Sequence, residues 1–287
     1  MKYISFEIGK DIKVKKFLEK NDFSKRAINY ILKDGYLIDG IRTSKNQYLK
    51  SGDILNIPII DENIDYEPIK GKIEIAYEDE HILVVEKDYN ITVNSKGQES
   101  LANHIAYYFK KEDLKAKVRL VNRLDMNTSG LLMIAKNPYA FAYYQSQIEN
   151  NKFSKNYLAV VKGKVNIDKL LETRLAYDKE NKRYMVSDQG KLAISEFKTL
   201  NYDEAYDVTY INVDIKSGKT HQIRSQLSYL GHPIIGDKLY GSNVDIERFL
   251  LHCYKIKFYR FIDNKTVELV SNNNFDKFLQ YTHKIYL

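Results

Sequence analysis

Asp125 is the residue in this chain best placed to do chemistry. It lies within residues 118–136, VRLVNRLDMNTSGLLMIAK, with Arg123 two positions before it, the small polar run Asn127, Thr128, Ser129 and Gly130 after it, and an apolar stretch beyond. That order predicts a strand, a tight loop and a second strand, with the Arg123–Asp125 pair on the loop. Rigid scaffolds carry most of their reactive groups on such loops. The same residues also describe an ordinary turn, because Asp, Asn, Ser and Gly all form turns readily. The remainder of the chain has to decide between the two. Two later residues matter to that decision: Tyr157, in an alternating strand pattern, and Arg224, in a helix opening after Thr220.

The elements that would position these groups can be read in order. In residues 13–60, Ser24 is an N-cap for a helix carrying Ala27, Ile28, Ile31 and Leu32, and Gly35 is its stop. Residues 36–38 then read as a strand, Asp39-Gly40 as a hairpin turn and 54–57 as another strand. Lys15, Lys16, Lys25 and Arg26 fall on the helical half, and residues 1–62 hold 12 basic against 9 acidic side chains. Residues 63–72 are polar, contain Pro68 and Gly71, and read as a linker to a domain over 73–287. That domain is expected to have strands at 73–77, 82–86 and 91–93, a helix from Ser100, and a helix begun by Asn137-Pro138 whose buried face is Phe141, Tyr144 and Ile148. Strand patterns come next at 157–161 and 194–200 and in the alternation Ile211, Val213, Ile215. Many strands with few helices predict an α+β fold on a mixed, largely antiparallel sheet, preceded by a small α/β module.

Composition narrows the chemistry. The 287 residues are 44% hydrophobic, enough for two ordinary domains, and the net charge of +7 suits a polyanionic partner. Cys253 is the single cysteine, so a disulfide framework and a thiolate metal cage are excluded, and a reducing cytoplasm is expected. The N-terminus lacks an apolar signal region, since Glu7, Lys10 and Asp11 interrupt it, and no membrane span is expected. Gly218-Lys219-Thr220 fails as a phosphate loop because Val213 stands where the first glycine must be. The six histidines show no metal-ligand spacing, and the chain has no G-x-S-x-G elbow.

Taken together, the motifs resemble one family. Residues 122–130, NRLDMNTSG, are similar to the H-R-L-D-x-x-T-S-G motif of RluA-type RNA pseudouridine synthases. KNYLAVVKG at 155–163 is similar to that family's next segment, and SGKTHQIRSQL, GHPIIGDKLYG and LLH come after it in the family's order. The resemblance covers about residues 73–260. The N-terminal order of two helices, a "DG" turn and a "GD" before the last strand resembles the RNA-binding module of the ribosomal-protein S-four type.

The resemblance implies an isomerase that needs no cofactor or metal, acting on ribosomal RNA, above all that of the large subunit, or on transfer RNA; apart from the resemblance, a monomer is the default expectation. A uridine is detached at N1, the base turns in the pocket, and C5 is joined to the same sugar carbon. By resemblance Asp125 is the catalytic carboxylate, facing positive character at the sugar as in retaining glycosidases. Tyr157 stacks on the base and Arg224 pairs with Asp125 to orient it and keep it charged. Arg123 enters the RNA stack where the uridine has left. Asn122, Thr128 and His221 are RNA contacts, together with Lys15, Lys16, Lys25 and Arg26 of the N-terminal module. The chain departs from the pattern at Asn122 and Asn94, each where histidine is usual, and at Lys87-Asp88 where Lys-Pro is usual. Those departures leave open a rival, an inactive RNA-binding or ribosome-assembly factor on the same fold. A nucleoside hydrolase is a third reading, and it requires a second, water-activating acid near Asp125.

Overall fold

The computed structural model describes residues 2–95 and 97–272; the last fifteen positions assigned above to the second domain, 273–287, lie outside the described residues. The first elements are β1 (Tyr3–Glu7), β2 (Ile12–Lys13), α1 (Val14–Lys20), α2 (Lys25–Asp34), β3 (Tyr36–Ile38), β4 (Ile41–Thr43), β5 (Tyr48–Leu49) and β6 (Ile54–Pro58). Four of the strands form an antiparallel sheet in the order β1-β6-β3-β4, and β2 pairs with β5. Local chemistry sets these elements. The Ser24 hydroxyl accepts from Ala27 N at 3.2 Å, satisfying a free N–H at the start of α2. Asp39 and Gly40 both sit at positive φ, the conformation a two-residue hairpin turn between β3 and β4 requires. The sequence reading places no strand before residue 13, yet β1 buries Ile4 and Phe6 in alternation.

Residues 61–72 form no helix or strand, but hydrogen bonds tie them to residues 103–119. Glu62 meets Arg119 at 2.6 Å, Asp65 accepts from Val118 N at 2.9 Å, and the Asn103 amide donates to Glu67 O at 2.9 Å. Phe6 and Phe23 pack against Phe261, and Phe23 also against Tyr139.

The second sheet is built from β7 (Glu74–Glu78), β8 (Ile82–Lys87), β9 (Arg119–Leu120), β10 (Ser129–Ala135), β11 (Ser154–Lys162), β12 (Lys169–Asp178), β13 (Arg183–Val186), β14 (Lys191–Asp203), β15 (Val208–Ile215), β16 (Leu251–Tyr259) and β17 (Thr266–Val270). Its order is β13-β12-β14-β15-β11-β16-β10-β8-β7, with β9 added on β10 and β17 on β16. Every pairing is antiparallel except β10 with β16. The helices are α3 (Leu101–Lys111), α4 (Pro138–Glu149) and α5 (Gln222–Tyr229), with a 3-10 turn at Lys238–Tyr240. This is the α+β fold on a mixed, largely antiparallel sheet that the sequence predicts.

Two local expectations are corrected. Residues 91–93 are not a strand, because the carbonyls of Thr92 and Val93 accept from Leu101 N and Ala102 N, the free donors at the start of α3. In α4 the fully buried face is Tyr139, Ala140, Tyr143, Tyr144 and Gln147, while Phe141, Gln145 and Ile148 form a wall of a cleft. Both faces of that helix are largely apolar, so spacing alone did not separate core from cleft.

Candidate active site

The loop between β9 and β10 carries Asp125 and is fixed from several sides. Asn122 is buried, its Oδ1 accepting from Met133 N at 2.8 Å and its Nδ2 donating to Leu131 O at 3.3 Å, which clips the loop's entry onto β10. Thr128 N donates to Asp125 O at 3.1 Å and closes the turn. Lys87, at the end of β8 and fully buried, donates to Asp88 O, Met126 O and Thr128 O at 2.8, 2.7 and 2.8 Å. Burial and then Arg248 push the Lys87 amine down to about 7, but three carbonyl acceptors call for all three N–H bonds of an ammonium. At the loop's exit, Gly130 has φ +113°, and a Cβ there would sit 2.2 Å from Cys253 O, where β10 meets β16 in parallel. Only glycine allows that approach.

Arg224 reaches Asp125 from α5. Its Nη1 donates to Asp125 Oδ2 at 3.0 Å, while Nε and Nη2 grip Asp237 Oδ2 and Oδ1 at 2.7 and 2.9 Å. The two-point fork therefore belongs to Asp237, whose side chain is 1% exposed, and Asp125, at 28%, takes one N–H of Nη1. Burial works against the guanidinium's charge, but Asp237 and then Asp125 outweigh it and hold its pKa above the ordinary value. Phe249 and Tyr240 lie 4.3 and 4.9 Å from the guanidinium carbon. Helix α5 is in turn fixed on the sheet by Gln222, whose amide meets Ser217, Lys219 N, Ile194 O and Ser195, and by Gln226, bonded to Thr173, Ala193 O and Ser195. That occupancy makes Gln222 a strut.

His221 precedes α5 in the left-handed region, φ 55°, and its Nδ1 is 3.1 Å from the Tyr240 hydroxyl, which already donates to Tyr184 O. Nδ1 must then carry the proton, leaving Nε2, 3.8 Å from Asp125 Oδ2, as an acceptor in the neutral ring. Burial lowers the imidazole's pKa more than Asp125 raises it, so the neutral ring is favoured at pH 7. Tyr157, on β11, is 5% exposed and pairs across the sheet with the buried Cys253 of β16. Burial, then Cys253, raises the phenol well above its ordinary range, so it stays protonated. The pairing of β11 with β16 slips between Asn156 and Tyr157, leaving Tyr254 as an extra residue, a bulge of the kind that re-aims side chains beside sites.

These groups meet in a cleft of about 540 Å³ that includes Asp125, Tyr157, Arg224, His221, Arg123 and Thr128 in its lining. Asp125 is the only carboxylate among its described lining residues. Arg123 is exposed and Thr128 buried. Asn122 borders the cleft too, with its amide committed to β10. Lys15, Lys16, Lys25 and Arg26 are exposed on α1 and α2 and do not line it. Sequence reasoning missed Lys87 and Asp237 as site residues. The second had a signal, as the one acid in GHPIIGDKLYG.

The chain matches the family model described as RNA pseudouridylate synthase over residues 81–229, just over half its length. An uncharacterized RNA pseudouridine synthase of Aquifex aeolicus is 36% identical over 249 residues, covering 81% of this chain and 78% of that protein. Ribosomal large subunit pseudouridine synthase C of Buchnera aphidicola subsp. Acyrthosiphon pisum is 32% identical, covering 82% and 81%. Among solved structures, human RNA pseudouridylate synthase domain containing 4 superposes with a TM-score of 0.60 at 17% identity, covering 74% of this chain and 93% of that one, a likeness of fold. With this family match and these identities, the chain belongs to the RNA pseudouridylate synthases of the RluA type, isomerases that make pseudouridine in RNA.

Proposed function

We propose that the chain converts uridine to pseudouridine in ribosomal RNA, above all that of the large subunit, or in transfer RNA, with Asp125 as the catalytic carboxylate. The observation that carries this reading is the setting of Asp125. It is the partly exposed acid at the cleft, on a loop held by Lys87, and it is paired with an arginine whose Nε and Nη2 are gripped by Asp237. Preorganised charge of this kind is most useful where charge develops during reaction. Breaking the bond from sugar to N1 builds positive character at the sugar carbon, which Asp125 meets by attraction or by a covalent bond. The flipped base stacks on Tyr157, and Arg123, free at the rim, fills the gap in the RNA at a cost of unstacking of about a few kcal/mol. The exposed cations of α1 and α2 hold RNA as an S-four type module, a large-area contact that leaves the cleft for the target nucleotide.

A water-activating partner for Asp125 is missing from the described cleft lining, which counts against a glycosidase. The inactive-factor reading drew on Asn122, yet that residue braces β10 behind the acid and does not touch it. The test is to incubate the protein with RNA from cells lacking it and map pseudouridine at single-nucleotide resolution. New sites that vanish with Asp125→Ala are expected; RNA binding with no conversion supports the inactive factor.

A further inference from the structure

Lys155 is a buried cation with nothing to hold. It is 7% exposed and lines the same cleft as Asp125, on β11 two residues before Tyr157. In the sheet, Asn156 pairs with Asp214, which places Asp214 on the opposite face from Lys155, where it is bonded to Lys216 at 2.6 Å. The Lys155 ammonium meets no hydrogen-bond acceptor among the described residues; the Phe153 ring centroid lies 5.7 Å from it. Cys253 offers no counter-charge, since burial raises its thiol to about 12. Burial accordingly lowers the pKa of the amine. Its Nζ is not fully enclosed: it opens to the cleft, where an acceptor on a ligand can take the place of water.

Resting on the reading that a flipped uridine occupies this cleft, we propose that Lys155 holds a carbonyl oxygen of the uracil ring and stabilises the anion formed when the base leaves the sugar. Positions i and i+2 of a strand share a face about 7 Å apart, so a ring stacked on Tyr157 reaches over to Lys155 with its edge. When the C1′–N1 bond breaks, its electron pair stays on the base, and the charge spreads from N1 onto the carbonyl oxygens. The N–H bonds of Lys155 meet it there. As C5 bonds to C1′ the pair returns to the sugar carbon, C5 releases its proton and N1 takes one, so no atom is gained or lost. Asp125 faces the cationic half of the split and Lys155 the anionic half.

Lys155→Met is expected to slow single-turnover conversion at saturating enzyme on the order of 10²-fold, the loss typical of one oxyanion donor. Its RNA affinity should stay within about twofold and its melting temperature near that of the wild type, and Lys155→Arg should restore most of the rate. A second measurement needs no turnover: calorimetric binding of barbiturate, a planar pyrimidine anion at neutral pH, against neutral uracil. The wild type should prefer the anion and Lys155→Met should lose that preference. Conversion by Lys155→Met at the wild-type rate, a fall in RNA affinity matching the fall in rate, or a wild type indifferent to the anion would each overturn the assignment. A wild type that prefers barbiturate through Lys155 but converts no RNA would overturn the proposed function and leave the anion site standing.

Discussion

Arg224 binds two carboxylates that differ in what they can reach. Asp237 is enclosed and takes the guanidinium fork through Nε and Nη2; Asp125 is half-buried and takes one N–H of Nη1 on a single oxygen, so its second oxygen stays free for a substrate. A planar five-donor group serves both acids at once, and a lysine ammonium does not. Arg224→Lys is therefore expected to bind RNA nearly normally while its conversion rate falls on the order of 10²-fold or more. Asp237→Asn should lower stability by about 3 kcal/mol, because it leaves a buried charge half-compensated, and should slow conversion as the arginine drifts. Single-turnover assays with thermal melts check both variants. An Asp237→Asn protein with unchanged rate and melting temperature would contradict the role given to that residue.

At the scale of elements, the site depends on β10 and β16 meeting in parallel, and a chain of buried polar groups crosses that junction. Arg248 donates to the Ser129 hydroxyl at 2.8 Å, Ser129 contacts His252 Nδ1 at 2.8 Å, His252 Nε2 lies 3.0 Å from Ser271, and Ser271 donates to Glu86 at 2.9 Å. The Ser271 proton goes to a carboxylate, so Nε2 donates; Arg248 donates to the Ser129 oxygen, which leaves the Ser129 proton for Nδ1, the bonding pattern of neutral His252. Burial, then Arg248, lowers its pKa to about 4. With the folded value below the unfolded 6.5, the unfolded chain binds the proton first. The stability held by neutral His252 is thus complete above pH 6.5 and lost as pH falls toward 4, about 3 kcal/mol in all. His252→Asn should be less stable than the wild type at pH 7, and the gap should close by that amount at pH 4. Denaturant unfolding across this range measures it, and a gap independent of pH would rule the linkage out.

Over the whole molecule, the N-terminal strands and helices are held against the second sheet by packed rings and by the tied segment 61–72. Cations on α1 and α2 therefore sit at a fixed place with respect to the cleft. Replacing Lys15, Lys16, Lys25 and Arg26 together with Gln should weaken RNA binding and flatten its logarithmic salt dependence by roughly 3, if each meets one phosphate. The conversion rate at saturating enzyme should be unchanged. Filter binding over a salt series decides it: an unaltered slope would mean that this face does not touch RNA. Among the described residues no helix is long and apolar enough to cross a membrane.

Local chemistry was legible in the sequence. Ser24, Asn137 and Gly40 write their caps and turn in side-chain type, the alternation of Ile211, Val213 and Ile215 writes a half-buried strand, and the NRLDMNTSG and HQIR segments mark the two halves of the cleft. What the sequence could not decide depends on partners far apart in the chain. Asp237 took the arginine's fork from Asp125, Lys87 anchored a loop 39 to 41 residues away, and Asn122 turned inward to β10. Residues 91–93 became a cap for α3 because their carbonyls found its free N–H groups. Spacing along a chain records which backbone shape a segment prefers. Which donor meets which acceptor across 100 residues, and which cation is left facing the cleft, is settled only when the sheet brings them to hydrogen-bond distance.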